Sequence, residues 1–130
     1  MSYLNRLFVD ALCPRSEHFF QLRLPDGRQI SSSRDLIVGR KQDNYPKRDI
    51  LELFSNFISR EHALFQIESN SIVVTDTFSR NGTFVGNQLI SDPRVLIPGD
   101  VVTLAGRLTY QDRAWKVVDG YPIKFLGSYF

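Results

Sequence analysis

The chain has 130 residues, 42% hydrophobic and 23% charged, which suits one globular domain with an apolar core. A formal net charge of +2 falls far short of the clustered Lys and Arg that bulk phosphate neutralisation needs, so direct nucleic-acid binding is not expected. The single cysteine, Cys13, rules out an intrachain disulfide framework, and no run reaches the ~20 apolar residues of a membrane span. With no basic-then-apolar signal at the N-terminus, the expected setting is intracellular, and no membrane partner is expected.

In chain order, residues 1–18 read as an N-terminal extension. Leu4, Leu7, Phe8, Ala11 and Leu12 repeat at helical spacing, Ser2 is an N-cap candidate and Pro14 ends the pattern, which predicts a short helix. From Phe19 the text changes to strands. Phe20, Leu22 and Leu24 alternate with polar residues before the turn chemistry of Pro25-Asp26-Gly27. Leu36-Ile37-Val38 reads as a strand buried on both faces, and Ile50–Leu53 follows a polar loop over 41–48. Ala63, Phe65 and Ile67 alternate, and Ile72-Val73-Val74 follow a Ser69-Asn70 turn. Thr83-Phe84-Val85 runs through Gly86-Asn87 into Gln88-Leu89 as a hairpin. Val95-Leu96, Val101–Leu104 and Ala114–Val118 complete about ten short strands at intervals of roughly 8–12 residues. The pattern predicts an all-β sandwich over 19–118, with 119–130 as a C-terminal extension.

Enzyme templates fail on this text. The two histidines, His18 and His62, have no Cys or carboxylate at metal-ligand spacing, and no phosphate-cradling glycine loop occurs. Ser59 and His62 are three apart, but no orienting acid or oxyanion hole is legible beside them. No catalytic residue, metal or cofactor is expected. The positive signal comes from strand ends. Gly39 allows a close backbone approach and delivers Arg40, whose planar fork matches phosphate oxygens. Ser59 offers a hydroxyl at another strand entrance, Arg60 adds charge beside it, and Asn81 next to Gly82 offers a donor and an acceptor. Singly, each also reads as an ion pair or an ordinary turn residue. Together they share one ligand preference, a phosphorylated side chain with its flanking backbone.

The ordered set Leu36-Ile37-Val38-Gly39-Arg40, Ile58-Ser59-Arg60-Glu61-His62, Asp76, Asn81-Gly82-Thr83-Phe84-Val85, Asn87 and Gly99-Asp100-Val101-Val102 closely resembles the forkhead-associated (FHA) domain. That resemblance implies a β-sandwich of about eleven strands whose loops at one end bind threonine-phosphorylated peptides of partner proteins in kinase signalling. It implies phosphate contacts from Arg40 and Ser59, with Arg60 as a second phosphate or peptide contact. Asn81, and Arg80 beside it, would meet the peptide backbone. His62 would brace the loops, and Gly39, Gly82, Thr83 and Asn87 would shape them. The family also selects the residue three positions after the phosphothreonine, where Phe57 is the candidate determinant. Its frequent setting implies a nuclear protein. The competing expectation is a scaffold or homodimer that uses a sheet face, the N-terminal stripe or the Ile123-Lys124-Phe125-Leu126 segment near Tyr129 and Phe130.

Overall fold

The computed structural model describes residues 18–41 and 50–130. The expected helix within 1–18, Cys13 and most of the polar loop before Ile50 lie outside those residues. Thirteen strands are found among the described residues. They are β1 (Phe19–Arg23), β2 (Gln29–Ser32), β3 (Leu36–Arg40), β4 (Ile50–Leu53), β5 (Ala63–Glu68), β6 (Ser71–Asp76), β7 (Thr83–Val85), β8 (Gln88–Leu89), β9 (Arg94–Val95), β10 (Val101–Leu104), β11 (Arg107–Gln111), β12 (Ala114–Val118) and β13 (Tyr121–Tyr129). Eleven of them form a six-stranded sheet, β2-β1-β13-β10-β7-β8, and a five-stranded sheet, β4-β3-β5-β6-β9. The other two, β11 and β12, pair with each other as a separate hairpin.

Period-two alternation puts one apolar row from each sheet into the gap between them. Phe20, Leu22, Val102, Leu104, Ile123 and Phe125 of the six-stranded sheet meet Leu36, Val38, Phe65 and Val74 of the five-stranded sheet. The rings of Phe20 and Phe65 stack across that gap at 6.2 Å. Each such fully buried side chain contributes about 1.5–3 kcal/mol relative to exposure.

The ten strands read from sequence are all present, and three were not read: β2, β11 and β13. The last overturns a boundary. Residues 119–130 are no extension, because β13 lies between β1 and β10 and pairs antiparallel with both. Ile123 and Phe125 are 0% and 1% exposed, so two of the four residues in the proposed docking segment belong to the core. Pro122 and Gly127 interrupt the sequence pattern yet fit the strand. Pro122 is exposed, and Gly127, at φ +142, lies beside a register shift opposite Gln21/Leu22.

Strand register also decides which loops meet. Val38 pairs with Ala63 and Ala63 with Asp76, so the end of β3, the start of β5 and the end of β6 are neighbours. Thr83 pairs with Leu104, which sets the start of β7 beside the end of β10. Backbone bonds tie the set together: His62 N–H to Val38 O, Thr77 N–H to His62 O, and Ala105 N–H to Gly82 O. The loops holding Arg40, Ser59 and Asn81 therefore converge at one end of the sandwich.

Candidate functional site

Gly39 is a glycine because there is no room for anything else. A Cβ there would lie 1.9 Å from the Arg60 carbonyl oxygen and 3.1 Å from that of Ser59. This contact lets β3 run against the β4–β5 loop, and the Arg40 N–H donates to Ser59 O at 2.9 Å. The side chains of Arg40 and Ser59 are thereby held next to each other by backbone, independently of any ligand.

His62 is fully buried and used at both ring nitrogens. Its Nδ1 accepts the Ser59 N–H at 3.0 Å, and its Nε2 lies 2.7 Å from the Gly82 carbonyl. Accepting at Nδ1 and donating from Nε2 describes a neutral imidazole. Burial pushes its pKa below the ordinary value, against the opposing effects of the Gly82 carbonyl and the Asp76 charge. The ring thus fastens the Ser59 loop to the Gly82 turn. It bonds the backbone amide of Ser59, which is no nucleophile–base arrangement.

Asp76, at the end of β6, is a hub to which the sequence reading gave no role. Its carboxylate accepts from Ser79 Oγ, from Ser79 N–H at 3.1 Å and from Thr83 Oγ1 at 2.7 Å. Burial would raise its pKa, but the two hydroxyl bonds and the amide bond outweigh burial and hold it below the ordinary carboxylate value. Ser79 Oγ in turn accepts the Gly82 N–H at 2.9 Å, and Gly82 takes φ +85. The local signal was an Asp with a Ser three residues on, the pattern of a side chain closing its own loop. Thr83, fully buried, completes the brace.

Around this frame lies a hollow of about 250 Å³ whose walls include Arg40, Ser59, Arg60, Arg80 and Phe57. Among the described residues, no carboxylate pairs with any of these three guanidinium groups. The Arg80 N–H donates to Ser59 Oγ at 2.9 Å, which occupies an acceptor site on the hydroxyl and leaves its proton available to a ligand. Arg80 is therefore grouped with the other arginines, whereas the sequence reading had placed it beside Asn81. Asn81 faces a second hollow of about 510 Å³, lined also by Phe57, Ile58, Leu104, Ala105 and Tyr121. Its Nδ2 donates to Phe57 O at 2.8 Å, which leaves Oδ1 as an acceptor. Phe57 is 72% exposed and lines both hollows, so it is a surface residue and not loop packing.

Asn87 is the one expected site residue that falls elsewhere. It follows Gly86 in the β7–β8 turn, and its Nδ2 donates to Trp115 O at 2.8 Å, fastening the β11–β12 hairpin. Phe78, on which the sequence reading was silent, lines neither hollow. It is fully exposed in the β6–β7 loop at φ +59, a left-handed conformation unusual for a bulky residue and often found at functional sites. Among the described residues, no group of three or more His, Cys, Asp or Glu side chains is placed to hold a metal ion.

A model of the FHA domain family matches residues 36–105, more than half of the chain. The chain belongs to the FHA domain family. The match runs from the start of β3 past the end of β10, so it contains every loop that carries Arg40, Ser59 and Asn81. Solved structures share the fold, FHA domains among them. One, from work on phosphothreonine-dependent FHA domain interactions, is 24% identical with a TM-score of 0.60, covering 83% of this chain and 95% of its own. EmbR of Mycobacterium tuberculosis, solved with a low-affinity phosphopeptide, is 24% identical with a TM-score of 0.63. Here 86% of this FHA chain is covered but only 25% of EmbR. Full-length yeast Pml1p is 21% identical with a TM-score of 0.64, over 97% of this chain and 93% of that one. No curated protein sequence matches the chain.

Proposed function

We propose that this FHA domain is a phosphothreonine-dependent protein-interaction module. It binds a threonine-phosphorylated segment of a partner protein across the two hollows at the loop end of the sandwich. The observation that carries this reading is the hollow in which three guanidinium groups, without a carboxylate partner among the described residues, surround the Ser59 hydroxyl. A phosphate brings about −1.5 to −2 charge and three strong acceptor oxygens, which suits that donor set. Arg40 holds the phosphate through its fork, Ser59 Oγ–H donates to a further oxygen, and Arg60 and Arg80 add charge from the rim.

Asn81 lies between the arginines and the apolar hollow, where Oδ1 can accept an N–H from the ligand backbone. The apolar hollow then takes a side chain beyond the phosphothreonine, with Phe57 as one wall and Leu104, Ala105 and Tyr121 as others. Arg107 and Asp119 also line it but pair with each other at 2.7 Å, so an apolar side chain fits that lining better than an acidic one. In FHA domains the selected position is the third after the phosphothreonine, and we assign it to this hollow. Threonine is preferred to serine because its β-branch restricts χ1 and lowers the ordering cost, and because its methyl adds up to about 0.8 kcal/mol of burial.

We read the chain as a binder and not a catalyst. His62 spends one ring nitrogen on an amide and the other on a carbonyl, so neither is directed at the Ser59 hydroxyl. Fluorescence anisotropy with a phosphothreonine peptide, its unphosphorylated twin and a phosphoserine twin tests the reading. Binding should follow the order phosphothreonine, phosphoserine, unphosphorylated. Equal affinity for the first and last overturns it.

A further inference from the structure

A third hollow adjoins the arginine-lined one and shares Arg40 and Asn56 with it. Its volume is about 370 Å³, and its other walls are Lys41, Leu53, Phe54 and Ser55. Among the described lining residues, four side chains can donate hydrogen bonds, two of them are cationic, and none is a carboxylate. Lys41 Nζ lies 5.4 Å from the centroid of the Phe54 ring, which is 82% exposed and places the ammonium over an aromatic face at the rim. Arg40 thus stands in a wall common to two hollows, one with Arg60 and Arg80 as further cations and the other with Lys41.

We propose that this hollow is a second anion site, so that the domain favours a ligand carrying a second phosphorylated or acidic side chain near the phosphothreonine. The inference rests on the phosphothreonine reading above. Charge supports it: among the described residues, Arg40, Arg60 and Arg80 line the hollow that takes one phosphate of at most about −2, and Lys41 adds a further cation outside that hollow, which leaves positive charge for a second anion. Position supports it as well. The Lys41 hollow shares Arg40 and Asn56 with the arginine hollow, whereas Asn81 and the apolar hollow approach the arginine hollow through Phe57 and Ile58. The apolar and Lys41 hollows both touch Ser55 but meet the arginine hollow at different residues, and we assign them to the two flanks of the bound segment. With the residue after the phosphothreonine in the apolar hollow, the Lys41 hollow receives the N-terminal flank. The second anion is thus a residue that precedes the phosphothreonine.

The test compares five peptides on the intact protein by fluorescence anisotropy. One carries the phosphothreonine alone. Two add a phosphoserine within three residues on its N-terminal or its C-terminal side, and two add glutamate at the same places. An upstream phosphoserine should tighten binding about two- to fivefold, the range of one exposed charge pair. Upstream glutamate should give a smaller gain, and both gains should shrink as salt rises. Lys41→Ala should erase the upstream gain while leaving the singly phosphorylated peptide's affinity unchanged. A gain from glutamate equal to that from phosphoserine assigns the hollow to carboxylates and also supports a second anion site. Equal affinity for the upstream doubly and the singly phosphorylated peptides overturns this inference alone, as does a gain that Lys41→Ala leaves intact. A gain only from the downstream phosphoserine overturns the placement. Failure of every peptide to bind overturns this inference together with the phosphothreonine reading.

Discussion

Arg40 and Gly39 do separate work that a single residue could not combine. The glycine admits the Arg60 carbonyl, and only then does the arginine reach Ser59. Gly39→Ala cannot be relieved by rotating a side chain, because the 1.9 Å contact is with backbone. We expect a loss of about 1–3 kcal/mol of stability, as for overpacking, and weaker phosphopeptide binding as the loop moves. Urea denaturation and anisotropy would show both effects; a variant unchanged in both would refute the packing argument. Arg40→Ala should instead leave folding intact, since the side chain is only half-buried and the backbone bond to Ser59 remains. Its cost falls on binding, by roughly 2–5 kcal/mol, as when one partner of a bound charge pair is truncated. Arg40→Lys should recover only part of that, because an ammonium keeps the charge without the fork. Titration calorimetry separates the three proteins. At this scale the sequence was legible where a residue type has few uses, as with the Gly-Arg pair. Asp76 was half legible: Ser79 three residues on is a local signal, whereas its bond to Thr83, seven residues on, at 2.7 Å depends on the fold.

Elements were legible in proportion to their alternation. β1, β5 and β6 show apolar residues at every second place or in unbroken apolar runs, and all were read. β2, written Gln-Ile-Ser-Ser, buries Ser31 and Ser32 along with Ile30, so hydropathy understates its burial. β11, Arg-Leu-Thr-Tyr-Gln, belongs to a hairpin outside both main sheets and is mostly exposed. β13 holds a proline and a glycine, the usual marks of a break, and its strand status comes from pairing with partners on either side. That placement makes the last twelve residues indispensable. Removing residues 119–130 would leave β1 and β10 without their shared neighbour and open the core at Ile123 and Phe125, so the truncated chain should not fold. Phe125→Ala is the milder probe and should cost about 3–5 kcal/mol in a urea titration while preserving one cooperative transition. A cost below about 1 kcal/mol would show that the core does not depend on this strand.

For the molecule as a whole, sequence settled that loops would carry the function, but strand register settled which loops meet. Asn87 illustrates the limit, since a turn residue in the same motif fastens the β11–β12 hairpin and not the binding end. His62 links these levels. It ties the β4–β5 loop of one sheet to Gly82, just before β7 of the other, so its protonation state bears on how the sheets are held together. In the native protein its pKa is depressed, first by burial, while in the unfolded chain it returns to about 6.5. The unfolded state therefore binds more protons, and stability rises with pH across that interval. The stabilisation from neutral His62 is complete above about 6.5 and is lost progressively below it, until pH reaches the native pKa. The slope can reach at most about 1.4 kcal/mol per pH unit for this one proton. Asp76, also depressed, adds a second loss in a separate, more acidic window below its ordinary 3.8. Urea midpoints without peptide should fall between pH 7 and 5. Peptide must be left out because the phosphate itself titrates near pH 6. In His62→Gln the protein should be less stable at pH 7 and lose most of that pH 7 to 5 slope, since glutamine does not titrate. An undiminished slope in the variant would assign the acid sensitivity to other groups and remove His62 as the joint between the sheets.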